Sequence, residues 1–183
     1  MIFRLTLLLS CIVILLGASV ERAPDQAITF TTFTPHPSGL TINNGIAGTV
    51  CIEDGEPVSV CESAEFINIV GAEMCQWDEN TIYPCTYYGH QFDYENASPG
   101  QVITCDTYRS NNTVFGPLTE QVTGARTARY TIELESDRGT AFRPSYNTYG
   151  PVENQILIRE IHRCSYAGTP LYQAHWILRF TPE

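Results

Sequence analysis

The chain has 183 residues and a formal net charge of −10, and all ten of its basic residues are arginine because it contains no lysine. The absence of lysine excludes a phosphate-loop lysine, a Schiff-base lysine and a Ser-x-x-Lys acylation site. Nucleic acid is also an unexpected partner, because its phosphates require a basic face.

The N-terminus, residues 1–20, is interpreted as a secretory signal peptide. One arginine precedes an uncharged apolar run from Leu5 to Leu16, and three small residues follow it. The run is shorter than the roughly 20 apolar residues that a bilayer span needs, and no later segment is apolar enough. An uncleaved membrane anchor is the nearest alternative to a cleaved signal peptide. A lipoprotein anchored at Cys11 is a weaker alternative, because the apolar run continues beyond that cysteine. We therefore expect residues 21–183 to form a single β domain that is secreted or periplasmic, with no membrane span after signal cleavage.

Six cysteines remain after the signal peptide, an even number that predicts disulfide bonds in an oxidising compartment. They are Cys51, Cys61, Cys75, Cys85, Cys105 and Cys164. The segments CIEDGEPVSVC (51–61) and CQWDENTIYPC (75–85) each begin and end with cysteine, so a hairpin in each brings its two cysteines within disulfide distance. Cys105 then pairs with Cys164. The spacing matches no compact zinc knuckle, whose ligands lie two to four residues apart.

The two hairpins have different expected details. The first is expected to turn at Glu56, with Cys51 opposite Cys61. The second is expected to place Trp77 opposite Tyr83, so that an aromatic pair packs beside the sulfur atoms. Carboxylates crowd both tips, and weak calcium binding is an alternative to solvated turn acids, although no EF-hand order of ligands is present. The tip carboxylates are Asp54, Glu56, Asp78 and Glu79.

The hydrophobic pattern has a period of two, which is typical of half-buried β-strands. Residues 128–136 place Tyr130, Ile132 and Leu134 on one face, and residues 174–180 alternate in the same way. Further strands are predicted in segments 27–34, 48–53, 59–63, 65–71, 101–108 and 154–164. The expected fold is an all-β, disulfide-stapled antiparallel β-sandwich, with an immunoglobulin-like topology left open and a small β-barrel as the alternative.

Support for an enzyme is weak, since the chain has neither a Gly-x-Ser-x-Gly nor a His-Glu-x-x-His motif. His90 lies close in sequence to Asp93 and Glu95. On a strand His90 and Asp93 point to opposite faces, so a metal or acid–base role requires this segment to be a loop. His162 shares a predicted strand face with Glu160 and can pair with it.

Tyrosine-rich segments are the preferred candidates for a binding site. Residues 83–94 and 142–154 are both interpreted as loops, and tyrosine offers a flat apolar face with a polar tip that suits sugar rings or protein surfaces. The candidate ligand-binding residues are Tyr87, Tyr88, Arg143, Tyr146, Asn147 and Tyr149.

Charge is divided unevenly along the chain. Residues 21–108 hold 13 acids against one arginine, whereas residues 109–183 hold seven acids and eight arginines. The acidic half would attract a basic partner or a weakly bound multivalent cation.

The sequence therefore favours a recognition module that binds a glycan or an extracellular protein through Tyr-bearing loops, with no organic cofactor. One alternative is a structural or assembly subunit of an extracellular or cell-surface complex, in which a sheet edge pairs with a partner chain. The second alternative is a small extracellular hydrolase or metal-dependent enzyme around His90.

Overall fold

The computed structural model describes residues 29–33, 36–112, 115 and 121–182, and within them the chain forms twelve β-strands. The predicted signal peptide, residues 1–20, lies outside the described residues. The strands are β1 (Phe30–Thr32), β2 (Thr41–Glu53), β3 (Glu56–Ser63), β4 (Phe66–Asn68), β5 (Glu73–Asp78), β6 (Thr81–Glu95), β7 (Gln101–Arg109), β8 (Gln121–Gly124), β9 (Thr127–Leu134), β10 (Arg138–Thr148), β11 (Ile156–Tyr166) and β12 (Thr169–Phe180). The described part of the chain contains no helix that is both long and apolar enough to cross a membrane.

The strands form two sheets. The seven-stranded sheet has the order β1-β12-β11-β7-β9-β8, and β4 also pairs with β12. The five-stranded sheet has the order β10-β6-β2-β3, and β5 pairs with the first part of β6. Every pairing is antiparallel except that of β4 with β12. Because the described strands leave open edges in both sheets, the fold is the predicted sandwich and not a closed barrel.

The core lies between the two sheets and confirms the alternation read from the sequence. Tyr130, Ile132 and Leu134 of β9 are buried, whereas the residues between them are exposed. Trp176 of β12 is fully buried. One half of the core brings side chains of β7, β9 and β12 against β2 and β6, and the other half is centred on Trp176.

The first hairpin turns earlier than predicted. Asp54 and Gly55 are its two turn residues, with φ of 50° and 84°, and Glu53 pairs with Glu56. An Asp-Gly pair favours this two-residue turn because both positions need positive φ. Cys51 consequently lies opposite Ser59, so the predicted opposition of Cys51 and Cys61 is wrong.

The second hairpin also has a shifted register. Cys75 lies opposite Tyr83, and an irregularity between Gln76 and Asp78 leaves Trp77 without a paired position. The prediction that Trp77 lies opposite Tyr83 is therefore wrong. The aromatic contact itself is confirmed, because the two rings meet edge to face with centroids 6.2 Å apart.

All three predicted disulfide pairings are confirmed: Cys51–Cys61, Cys75–Cys85 and Cys105–Cys164. Cys105 and Cys164 are directly opposed on the neighbouring strands β7 and β11, with Cα atoms 4.1 Å apart. This bond stays within one sheet, whereas the immunoglobulin disulfide joins the two sheets. Three disulfides are typical of a protein from an oxidising compartment.

The two Tyr-rich segments are strands for most of their length, so their interpretation as loops is wrong. Residues 83–94 belong to β6, and residues 142–148 belong to β10. In β6, aromatic residues and His90 alternate with smaller or polar residues, which is itself a strand pattern. Pro144 is tolerated because β10 is an edge strand, where a missing N–H need not break the ladder.

Candidate functional site

The six candidate binding residues divide between the two sides of the five-stranded sheet. Successive residues of a strand point to opposite faces. Tyr87 of β6 and Tyr146 of β10 point outward and are partly exposed. The other four candidates, Tyr88, Arg143, Asn147 and Tyr149, are placed inward or against the core.

The inward placement follows from contacts with the interior. Tyr88 is fully buried, and Asn147 Nδ2 donates to its hydroxyl at 3.4 Å. The guanidinium of Arg143 lies 4.7 Å from the centre of the Tyr130 ring. Tyr149 follows β10, packs against the core and donates its backbone N–H to the Pro84 carbonyl at 2.7 Å. Of the six candidates, Tyr87 and Tyr146 are therefore the two whose side chains lie on the outer side of the sheet.

Tyr87 and Tyr146 form a preformed pair on the outer side of the sheet. They are directly opposite in register, and their rings meet edge to face with centroids 5.9 Å apart. The Tyr146 hydroxyl donates to the Gln76 carbonyl of β5 at 2.8 Å. We call this surface the aromatic face and define it as Trp77, Tyr83, Tyr87 and Tyr146.

A disulfide bond underlies the aromatic face. Cys85 alternates with Tyr83 and Tyr87 along β6, so its side chain points to the same side of the sheet. Cys85 is nonetheless fully buried, and its partner Cys75 is 1% exposed. The bond ties β5 to β6 on the side of the sheet that carries the rings, and so restricts how far the two strands can move apart.

The aromatic face lies in acidic surroundings. Burial, followed by the charges of Glu56, Tyr146 and Glu73, raises the pKa of Tyr87. Glu73 lies opposite Cys85, which is two residues before Tyr87 on β6. Burial alone raises the pKa of Tyr146. The strands of the five-stranded sheet carry seven carboxylates and two arginines, so this side of the sandwich is negative.

A group of polar side chains lies inside the sandwich, and we call it the buried polar cluster: Tyr88, Arg109, Tyr130, Glu160 and His162. Glu160 is at its centre and is 1% exposed. Its carboxylate accepts hydrogen bonds from Arg109 Nε, from the Tyr88 hydroxyl at 3.1 Å and from His162 Nε2 at 2.7 Å. Because Tyr88 belongs to one sheet and Glu160 to the other, the cluster joins the two sheets.

Electrostatics keep Glu160 ionised despite its burial. Desolvation raises the pKa of Glu160, but the charge of Arg109 and the hydrogen bond from His162 outweigh it and lower the pKa to about 2. Desolvation lowers the pKa of Arg109, and the Glu160 charge more than reverses that effect. Burial, and then the Glu160 charge, raises the pKa of Tyr88. The cluster therefore holds a charged pair and a neutral phenol at neutral pH.

Three members of the cluster have the order of groups found in a hydrolytic triad. Glu160 orients the His162 ring, and His162 Nδ1 lies 2.7 Å from the Tyr130 hydroxyl. A hydrolase needs a nucleophile that a substrate can reach. Tyr130 is only 6% exposed, so the observed arrangement orders the interior rather than presenting a nucleophile.

The lowered pKa of Glu160 predicts a loss of stability in acid. A carboxyl group whose folded pKa lies below its ordinary value of 4.5 contributes stability above that value, and the contribution disappears as pH falls towards 2. For this fully buried group the expected loss is about 3 kcal/mol. Urea denaturation between neutral pH and pH 2 measures it, and Glu160→Gln should show a flatter dependence. Equal slopes in the two proteins would contradict the prediction.

His90 is fully buried, so its side chain lies on the opposite side of the sheet from that of Asp93. Its Nε2 lies 3.1 Å from the Tyr172 hydroxyl. Burial, then the charges of His162 and Arg143, lowers the pKa of His90 well below its usual value. Asp93 points outward and accepts hydrogen bonds from Asn44 and Thr140. His90 and Asp93 therefore form no acid–base pair.

No metal centre is evident in the described ranges, where no three His, Cys, Asp or Glu side chains are grouped to hold an ion. At the β5–β6 tip, Asp78 accepts the backbone N–H of Asn80 at 2.9 Å, as in a polar turn. At the β2–β3 tip, Asp54 and Glu56 are exposed. Weak calcium binding at the two tips stays a prediction.

Sequence reasoning found part of the buried polar cluster and missed the rest. The pairing of Glu160 with His162 is confirmed, because residues two apart on a strand share a face. Arg109 was not singled out, although it is the first arginine after the acidic half of the chain. Its partner lies 51 residues away in sequence, so only the pairing of β7 with β11 brings the two together.

Comparison with known proteins gives no independent indication of function. No family model matches the chain, and no curated protein or solved structure is similar to it. The functional argument therefore depends on the geometry of the chain itself.

Proposed function

We propose that the protein is a secreted or periplasmic recognition module that uses its aromatic face to bind an extracellular protein or glycan. The observation that carries the proposal is the outward Tyr87–Tyr146 pair, fixed by the hydrogen bond from Tyr146 to Gln76. A binding site held in position on strands loses little conformational entropy when a partner docks.

The chemistry of the face suits a partner with cationic or apolar groups. Tyrosine rings stack on sugars, aliphatic chains and guanidinium groups. The charges of Glu56 and Glu73, which contribute to the raised pKa of Tyr87, favour a partner that carries positive charge. An acidic partner is disfavoured for the same reason.

Three disulfide bonds support a location in an oxidising compartment. The signal-peptide pattern of residues 1–20 supports the same location. We therefore place the proposed binding activity outside the cytoplasm.

The Tyr87→Ala, Tyr146→Ala double variant should bind its partner about tenfold more weakly or worse, because truncating central aromatic residues removes much of an interface's energy. Binding is measured on a glycan array and on an array of extracellular proteins, with thermal unfolding recorded in parallel.

Two controls accompany this test. Phe33 is an exposed aromatic residue at the β1 edge of the other sheet, and Phe33→Ala should leave binding unchanged. Tyr146→Phe keeps the ring and removes only the hydrogen bond to Gln76. Full binding by the double variant on either array would refute the proposal.

The alternative of assembly through sheet edges is opposed by the composition of the described edge strands. β10 carries Pro144 and β3 carries Pro57, and each proline lacks a donor for a partner strand. β1 and β4 have three residues each, and β8 has four. β5 is an edge strand of six residues without proline, and it carries two carboxylates, Glu73 and Asp78. Association through a face fits these edges better than association through a strand.

A further inference from the structure

The outer side of the seven-stranded sheet carries a patch in which arginines are set among apolar residues. β11 contributes Arg159 and Arg163, and β12 contributes Arg179. Because Glu160, His162 and Leu178 point into the core, these arginines point outward. We call this patch the arginine face, and it comprises Phe66, Tyr108, Leu157, Arg159, Ile161, Arg163, Ile177 and Arg179.

Register places the members of the arginine face side by side. Tyr108 lies opposite Ile161, Arg159 opposite Ile177, and Leu157 opposite Arg179. Phe66, Tyr108 and Leu157 are each between 39% and 48% exposed. Exposed aromatic and aliphatic residues mixed with arginine match the composition of protein–protein interfaces.

Arg163 and Arg179 contact neutral side chains, and Arg163 Nε also donates a hydrogen bond to Gln173 Oε1 at 3.3 Å. The Arg163 guanidinium lies 5.2 Å from the centre of the Tyr108 ring, and that of Arg179 lies 4.5 Å from the Phe66 ring. In the described part of the chain, none of the three arginines of the face pairs with a carboxylate, whereas the nearby Arg129 is paired with Asp106.

Charge is segregated between the two sheets. The strands of the five-stranded sheet hold seven carboxylates and two arginines, and those of the seven-stranded sheet hold three carboxylates and five arginines. Two arginine faces would repel each other, as would two aromatic faces with their acidic surroundings. Contact between unlike faces is electrostatically favourable.

We infer that the partner of the aromatic face is the arginine face of a second copy of this chain. The inference rests on the proposed function, because it names the occupant of the same site. Guanidinium groups stack on tyrosine rings and form paired hydrogen bonds with carboxylates. The aromatic face supplies the tyrosine rings, and Glu56 and Glu73 supply the carboxylates. Arg159 and Arg163 supply the guanidinium groups.

The symmetry of this contact determines which kind of oligomer forms. Two different faces meet, so each copy keeps one face free for the next copy. Such heterologous contacts produce closed rings or open filaments rather than simple dimers. The function that follows is self-assembly by stacking of sandwiches outside the cytoplasm.

The test is sedimentation velocity of the oxidised chain, after removal of residues 1–20, over a range of concentrations at low and high ionic strength. The average mass should rise with concentration, and less steeply at high ionic strength because salt screens the charges. Arg159→Glu, Arg163→Glu should weaken association about tenfold or more. Arg138→Glu is the control for a charge reversal outside the arginine face: Arg138 is 76% exposed on β10, and its reversal should not weaken association.

A mixing experiment identifies the two faces. On its own, the Glu56→Arg, Glu73→Arg variant should also weaken association about tenfold or more. Its mixture with the Arg159→Glu, Arg163→Glu variant should associate through the two unaltered faces. Failure of the mixture to associate would overturn the inference.

The inference and the proposed function can fail separately. A chain that stays monomeric at every concentration, yet binds an array through Tyr87 and Tyr146, overturns the inference and leaves the proposed function in place. Self-association that survives Tyr87→Ala, Tyr146→Ala overturns the inference, because the aromatic face is then not part of the contact. A monomer whose array binding does not depend on the two tyrosines refutes both.

Discussion

Glu160→Gln is expected to lower the free energy of unfolding by about 3–5 kcal/mol. The amide keeps the shape of the carboxyl group but removes its charge, which leaves Arg109 with a 10% exposed side chain and no counter-ion. The amide also replaces one accepting oxygen with a donor, so the expected loss includes a hydrogen bond from Arg109 or His162 as well as the charge pair. Urea denaturation at neutral pH, followed by far-UV circular dichroism, measures the change.

The matched control is the exposed ion pair between Asp106 and Arg129, whose side chains are 32% and 48% exposed. Asp106→Asn removes one charge in the same way and should cost about 0–1 kcal/mol, because water solvates the remaining arginine. If both variants lost the same small amount, Glu160 would not be the centre of a buried charge network.

The β-sandwich could be predicted because apolar residues alternate along the sequence with a period of two. Side chains on a strand alternate between the two faces of the sheet with the same period. In β9, one face is apolar and the other polar, so only one register buries the apolar face. Cysteine spacing limited the possible disulfide pairings. Two short segments each begin and end with cysteine, and pairing within each of them leaves Cys105 and Cys164 as the last pair. Neither argument requires knowledge of how distant strands are arranged.

Register and strand ends were less accessible to sequence reasoning. The first hairpin turns at Asp54 and Gly55, whereas the prediction centred the turn on Glu56, midway between the two cysteines. Asp-Gly is a strong turn signal and a better guide to this turn than the spacing of the cysteines. Tyrosine, proline and glycine in residues 142–154 suggested a loop. The pairing of β10 with β6 held residues 142–148 in a strand, because tertiary contacts override local preference.

The candidate site was predicted only in part for the same reason. Tyr87 and Tyr146 were named, but their contact depends on the pairing of β6 with β10. Tyr88 was grouped with Tyr87, although adjacent residues on a strand face opposite sides. The arginine face was not predicted, because its members come from β4, β7, β11 and β12.

Removing the Cys105–Cys164 bond should destabilise the fold by about 4 kcal/mol, and removing Cys51–Cys61 by about 3 kcal/mol. The first bond closes a loop with a sequence separation of 59 and the second a loop with a separation of 10, so the first restricts the unfolded chain more. Urea denaturation of the two double Cys→Ala variants measures the difference.

The packing of the cysteine side chains should increase the difference in stability between the two double Cys→Ala variants. Cys105 and Cys164 are fully or almost fully buried in the core, so replacement by alanine also removes contacts with their neighbours. Cys61 is exposed, and Cys51 is partly exposed, so their replacement leaves no internal cavity. A larger loss from the Cys51→Ala, Cys61→Ala variant would contradict both arguments and would mean that the β2–β3 hairpin, rather than the β7–β11 pairing, limits the stability of the sandwich.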